Sequence, residues 1–280
     1  MADVRITEFT DPGCPWAFSA EPFKRRLQWL YGDRVEWLPR MVVLSESPED
    51  YLEKGFDPPK QAAAFRKIAH EHGMPIDTRE RPRMHATAPA CRAVVAARLH
   101  APGRAEGLLR CLRVHGFAGA LLDEDATLES AAGDAGLDVG ELRAWMASDE
   151  VRDAVEEDKA LARAPSAAAR VLDARLANWS GGRRYTCPSY EITRLSDGVT
   201  VTVPGFQPFA AYDVILANLV PGVDRREPPG SAREVLEWAG TPLATQEVAT
   251  ICELSREEAR EDLGRVAEER HVGTDGFWSV

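Results

Sequence analysis

No two of the five cysteines stand in a Cys-x-x-Cys pair. They fall at Cys14, Cys91, Cys111, Cys187 and Cys252, an odd number at wide spacing. That argues against a disulfide framework, and no pair has zinc-finger spacing. No apolar run is long enough to span a bilayer, so no membrane partner is expected. The opening "MADVRITEFT" lacks a basic stretch followed by an apolar one, so no secretory signal is read. The expected location is a reducing cytoplasm, where a cysteine that matters is catalytic or metal-binding sooner than structural. Positive charge is also short: 34 Lys and Arg stand against 45 Asp and Glu, a net charge of -11. An acidic chain gains little from phosphates, which argues against nucleic acid.

What is present is a mixed pattern in an ordinary soluble composition of 280 residues, room for one large domain or two small ones. Val4 and Ile6 alternate with Arg5 and Thr7 as in a short strand, with Phe9 one step out of phase. "TDPG" breaks the strand. A helix follows, with Pro15 in its first turn and Phe18, Phe23, Leu27 and Leu30 as its apolar stripe, ended by Gly32-Asp33. A second strand is expected over 35–44, with Pro39 marking an edge or bulge. Residues 58–178 are rich in Ala, Arg, Leu and Glu and carry helical periodicity with no strand signal. Helices are expected there over 60–72, 89–100, 104–117, 128–135, 139–146, 150–164 and 167–177. Strands return at 189–195 and 199–203 around Ser-Asp-Gly, a hairpin signal, followed by a helix over 209–219. A Pro/Gly-rich linker, "PGVDRREPPGS", leads to helices expected over 232–239, 246–252 and 256–270 and a small hairpin around Asp275-Gly276. Ser255 and Glu258 form a capping box for the last helix.

Three stretches, in order, carry a resemblance: "FTDPGCPWAFSAEP", the helical block ending "VRDAVEEDKALA", and "TCPSYEI…DGVTVTVPGFQPFAAYDVILANL". Together they resemble the DsbA family of thioredoxin-fold proteins over roughly residues 3–221. The branch they bring to mind is the cytosolic FrnE-like one, the polyketide-associated disulfide oxidoreductases. Mycothiol-dependent reductases and 2-hydroxychromene-2-carboxylate isomerases are its neighbours. The resemblance implies an α/β, thioredoxin-like fold with a large all-helical insertion, to which a C-terminal winged-helix-like module is added. The boundaries expected are 1–57 with 179–222 for the thioredoxin-like domain, 58–178 for the insertion and 223–280 for the module. Pro188 falls on the family's cis-proline position, and Gly205, Gln207 and Pro208 on the turn after it. Ala17 departs from the pattern, since redox-active members carry their second cysteine there.

The chemistry centres on Cys14. A cysteine at a helix N-terminus faces unpaired backbone N–H groups and the positive end of the helix dipole, and both favour the thiolate. With Ala17 in place of a resolving thiol, a mixed disulfide on Cys14 waits for an external thiol. Glutathione or mycothiol then enters as co-substrate rather than as a bound cofactor. The resemblance implies another route. It sets the residue before the cis-proline, Cys187, against the helix cysteine, where it would resolve the disulfide. The two sulfurs sharing a soft metal is a further alternative, but no His has ligand spacing and no metal is expected. The bland readings are a Cys14 kept by descent and a Cys187 that fills a tight loop.

Pro15, Trp16, Ala17, Thr186 and Pro188 are expected to line the substrate groove, with Trp16 as a wall. Asp11 and Glu21 lie close to Cys14 in sequence, and a carboxylate facing it would raise its pKa. Arg183 and Arg184 would attract an anionic thiol or simply form a solvated turn. Ser19 reads as a surface serine, His70 and His72 as poor metal partners, and His85 as able to face the site. Cys91, Cys111 and Cys252 read as core filler.

Three functions stay open. One is a DsbA/FrnE-like thiol–disulfide oxidoreductase acting on a small-molecule thiol or disulfide. Another is a relative of kappa-type glutathione transferases, which usually carry Ser where Cys14 stands. The third is a non-redox binding or regulatory protein on a degenerate site. Residues 225–280 hold seven Arg and no Lys against twelve Asp and Glu. That disfavours DNA and leaves packing on the catalytic domain, covering the groove or building a homodimer.

Overall fold

The computed structural model describes residues 2–280. The chain opens with β1 (Val4–Thr10), α1 (Pro15–Ser19), α2 (Glu21–Tyr31) and β2 (Val35–Met41). Then come α3 (Glu49–Glu53), α4 (Pro58–His72), α5 (Ala88–His100), α6 (Ala105–Phe117), α7 (Asp125–Asp134), α8 (Val139–Met146), α9 (Asp149–Ala162) and α10 (Ala167–Val171). A hairpin, β3 (Ala177–Trp179) and β4 (Gly182–Arg184), precedes β5 (Ser189–Arg194), β6 (Thr200–Val203) and α11 (Phe209–Leu219). The chain ends with α12 (Ala232–Ala239), β7 (Leu243–Ala244), α13 (Thr245–Cys252), α14 (Arg256–Val266), β8 (Glu268–Val272) and β9 (Asp275–Ser279).

The two strand regions join in one sheet of order β2-β1-β5-β6, with β1 parallel to β2 and antiparallel to β5. This is the thioredoxin-like core that the sequence implied. Pro39, without an N–H to give, sits on the edge strand β2. Val4 and Ile6 pack against Leu27 and Tyr31 of α2 and Leu216 of α11. Phe9 points to the opposite face, where its ring stacks on Tyr185 at 4.3 Å. That face is covered too, so the alternation breaks while every side chain of 8–10 remains buried.

Five expectations need correction. The first helix is two: its backbone breaks at Ala20, two residues before Pro22, a residue that has no N–H for the helical ladder. Phe18 therefore leaves the apolar stripe of α2 and stacks on Phe117 of α6 at 4.6 Å. β2 stops at Met41 rather than 44. The helix expected over 167–177 ends at Val171, and β3 begins at Ala177, so the helical block does end in a strand. The helix expected to reach Arg270 stops at Val266, because 268–272 pair with β9; cross-strand pairing overrides the helical propensity of Glu and Arg. The hairpin turn lies at Gly273-Thr274, ahead of Asp275-Gly276, which belong to β9. A short helix, α3, also appears where none was read.

The C-terminal elements run helix, strand, helix, helix, strand, strand, with sheet order β7-β9-β8. They are built into the core rather than tethered to it. Phe277 and Ala244 share a cluster with Phe18, Phe65 and Phe117, and Trp29 of α2 packs among Val235, Leu243 and Trp278. At Gly273 φ is +57°, and an added Cβ would collide with the Ile76 carbonyl. Gly273→Ala is expected to cost at least about 1–2 kcal/mol for the left-handed backbone alone, plus the cost of moving Ile76. A melting temperature unchanged in Gly273→Ala would show that this contact does not hold the module. Among the described residues, no helix is long and apolar enough to cross a membrane.

Candidate active site

β1 delivers Asp11 and Cys14 to the rim of the sheet. Asp11-Pro12-Gly13 turns the chain, and the Cys14 N–H donates back to the Asp11 carbonyl at 3.2 Å. Cys14 is the N-cap of α1 with extended backbone, and Pro15 occupies the first turn, where its missing N–H costs nothing. The backbone N–H groups of Trp16 and Ala17 face the Cys14 sulfur.

The second sulfur arrives from the far end of the fold. The Cys187–Pro188 peptide is cis. As a thiol, Cys14 donates to the Cys187 carbonyl at 3.3 Å. As a thiolate it accepts from the Cys187 thiol, and this hydrogen bond is the largest influence lowering its pKa. The N–H groups of Ala17 and Trp16 act in the same direction. Burial and the Asp11 charge oppose them and are outweighed. Cys187 moves the other way: burial, then the neighbouring Cys14, push it well above the usual thiol range. One proton shared by the pair therefore resides on Cys187. Both cysteines are free and buried, Cys14 to 4 % exposure.

Asp11 is fully buried and held by four donors: the N–H of Gly13 at 2.7 Å and of Leu44 at 2.8 Å, the Thr87 hydroxyl at 2.8 Å and the Cys91 thiol at 3.3 Å. Cys91 is thus more than core filler. Burial and then Asp11 push its thiol far up, so it is the inert member of the cluster. Gly13 has no room for a Cβ, which would sit 2.6 Å from the Thr87 methyl. Tyr51 of α3 completes the cluster. Its hydroxyl is driven up by burial, then by Asp11, Cys14, Cys187 and Cys91.

Of the expected groove residues, Ala17 is buried against the thiol cluster with Phe9, Val42 and Tyr185. Pro15 is half-buried and Pro188 buried behind the cis bond. Trp16 is 39 % exposed and forms the edge of an aromatic shelf with His72 at 5.2 Å and Phe206 at 5.7 Å. Thr186 spends its hydroxyl inside the loop, on the Arg175 carbonyl at 2.9 Å. Glu21 turns away from Cys14 into a buried ionic network with Arg113 and Arg110. Ser19 is buried, its hydroxyl unpartnered, rather than on the surface. His85 is buried beside Asp123, and burial takes it down to about 4, so it stays neutral. Tyr51 and Thr87 escaped the sequence reading, since each comes from a distant segment with no local motif; His72 was read only as a poor metal partner, and Phe206 lay inside the quoted turn without a role. Among the described residues, no group of three His, Cys, Asp or Glu converges as a metal site.

Known proteins resemble the chain in the same terms. The DSBA-like thioredoxin domain matches residues 5–167. The ClpXP adapter protein SpxH of Halalkalibacterium halodurans is 28% identical over 272 residues, 94% of this chain and 82% of that protein. A solved chain described as a protein disulfide isomerase of Nitrosomonas europaea matches with a TM-score of 0.57 at 17% identity, covering 78% of this chain and 98% of its own. The cytosolic disulfide reductase DsbM of Pseudomonas aeruginosa matches at 0.55 and 18%, covering 77% and 99%. Its structure with GSH matches at 0.52 and 18%, covering 76% and 98%. At these identities the solved structures speak for a shared fold.

Proposed function

We propose, for a chain that belongs to the DSBA-like thioredoxin-domain family, that Cys14 is the nucleophile of a thiol–disulfide exchange site and Cys187 its resolving thiol. The family is one of DsbA-like thiol–disulfide oxidoreductases, so the class of chemistry is the premise and the pairing of sulfurs is the proposal. The observation that carries it is the contact between the two cysteines: Cys14, at a helix N-terminus, reaches the Cys187 carbonyl at 3.3 Å inside one buried cluster that holds both thiols. It joins an activated thiolate to a protonated partner that sequence places 173 residues away.

The Cys14 thiolate attacks a disulfide R–S–S–R′, forming Cys14–S–S–R and releasing R′–S⁻. Cys187 then gives up its proton and attacks the Cys14 sulfur. R–S⁻ leaves, takes up the proton, and a Cys14–Cys187 disulfide remains. Two molecules of a low-molecular-weight thiol such as glutathione or mycothiol return the pair to thiols and leave as their own disulfide. DsbM's structure with GSH supports a small thiol in this role, and a reducing cytoplasm is the setting that would supply it.

The test is mass spectrometry after brief exposure to oxidised glutathione. The wild type is expected to lose two hydrogens with no lasting adduct, whereas Cys187→Ala should retain one glutathione on Cys14. A lasting adduct on the wild type would show that an outside thiol, not Cys187, resolves the intermediate.

A second reading is favoured by the 28% identity to SpxH along 94% of the chain and by the 4 % exposure of Cys14. In it the fold serves as a protein-binding adapter. Partner capture undiminished in Cys14→Ala, with no exchange activity in the wild type, would favour it over the first.

A further inference from the structure

The segment that covers the thiol pair carries a cluster of positive charge on an acidic protein. Its inward side chains, Ala162, Ala169, Leu176 and Tyr185, pack in one cluster with Cys14 and Cys187. Its outward side chains are basic. Among the described residues, Arg163, Arg170, Arg175 and Arg184 have no carboxylate within 4.0 Å, and only Arg183 is paired with one, Asp173 at 2.8 Å. Arg170 and Arg175 are exposed, Arg170 donating to the Pro165 carbonyl at 3.1 Å; Arg163 and Arg184 are half-buried, Arg163 over the Trp179 ring at 4.7 Å and Arg184 on the Tyr185 carbonyl at 2.7 Å. Among the described residues, ten of the 34 Lys and Arg lack such a partner, and four of the ten fall within residues 163–184. In a chain with 45 acids, positive charge is thus concentrated beside the site. Asp173 is the single acid between Lys159 and Glu191.

Two further features describe what would neutralise it. Leu161, Val171 and Leu172 are exposed among the arginines, Val171 to 82 %. Among the described residues, β3 and β4 form a sheet of two strands, so each keeps one edge outside the ladder. Open edges accept an extended polypeptide by strand addition. Exposed apolar side chains reward apolar neighbours in that polypeptide, and guanidinium groups without a carboxylate reward one.

We propose that the 161–186 wall is a docking face for an acidic polypeptide segment, an extended stretch in which Asp or Glu alternates with large apolar side chains. It deepens the exchange reading by naming the substrate class presented to Cys14. Binding, however, is read without chemistry, so the two can fail separately.

The probe is a fluorescein-labelled peptide of about twelve residues, Glu at alternate positions and Leu or Phe between, titrated into full-length Cys14→Ser protein. Anisotropy should show saturable binding that weakens as salt rises, because exposed charge pairs are screened. The Arg170→Glu/Arg175→Glu variant, altered at two exposed side chains, should bind about tenfold or more weakly with an unchanged melting temperature. Arg66→Glu/Arg92→Glu, equal in charge but elsewhere on the surface, should bind as before. Equal loss in both double variants, equal binding of the Lys-for-Glu peptide, or displacement by a single-stranded oligonucleotide as strong as by unlabelled peptide would each overturn the docking face. Exchange of small disulfides by a wild type that ignores the peptide would overturn the docking face alone.

Discussion

Cys14→Ser is expected to lower neutral-pH alkylation of the site, and exchange with small disulfides, by about two orders of magnitude or more. The remaining thiols near the site, Cys91 and Cys187, are both held well above the usual range, and a thiol with a pKa of about 9 is roughly 1 % thiolate at pH 7. The companion Cys187→Ala separates tuning from mere presence. It removes the hydrogen bond that most lowers Cys14, so the apparent pKa of Cys14 should rise. The thiolate is the reactive form. Alkylation should therefore slow at pH 6–7 and return to the wild-type rate at high pH. Iodoacetamide labelling followed from pH 5 to 9 by peptide mass spectrometry reads both variants. Labelling of Cys14 that matches a surface thiol at every pH, or a profile in Cys187→Ala that does not move, would remove the activated pair.

Arg113→Met should cost the most stability, about 3–5 kcal/mol, because removing one partner of a buried ionic network strands the others. Arg113 is 1 % exposed. It donates to Glu8 at 3.0 Å, to Glu21 and to the Thr10 hydroxyl. Lys24 adds a contact to Glu8 at 3.1 Å, and Arg110 links Glu21, at 3.6 Å, to Glu247 of α13. The network thus ties β1, α2, α6 and the C-terminal elements to one another. Burial by itself would raise the Glu21 carboxyl, but Arg113 and Arg110 outweigh it and hold it at about 2, against an ordinary 4.5. A carboxyl whose folded pKa is depressed stabilises above its unfolded pKa and loses that contribution as pH falls through the folded value. The gap between wild type and Arg113→Met should be widest near pH 7 and narrow from about pH 4.5 towards 2. Urea unfolding at several pH values measures it, with Arg183→Ala, an exposed pair, as a reference expected within about 0.5 kcal/mol. A gap under about 1 kcal/mol at pH 7 would mean that apolar packing alone holds these elements together.

The two stretches that read most clearly in the sequence were local in origin. Pro15 and the "TDPG" break placed Cys14 at a helix start because turn and cap chemistry are decided within a few residues. The helix over Phe209–Leu219 and the capping box of Ser255 and Glu258 also follow from short-range pattern. Errors gathered where long-range pairing outvotes local preference. Arg270 has the composition of a helix and sits in β8, since β9 pairs with it. Phe9 is out of phase because a second layer buries the other face of β1.

The site divides the same way. Sequence alone determined a thiol at a helix N-terminus with no second thiol at position 17, and the family resemblance pointed to Cys187 as its neighbour. Only the tertiary structure decided which groups set the proton's position. Asp11 faced the cluster while Glu21 turned into the arginine network, although both lie close to Cys14 in the chain. Thr87, Cys91 and Tyr51 reached it from three separate elements. A pKa answers to the charges and donors within a few ångströms, and those neighbours are chosen by packing rather than by sequence distance.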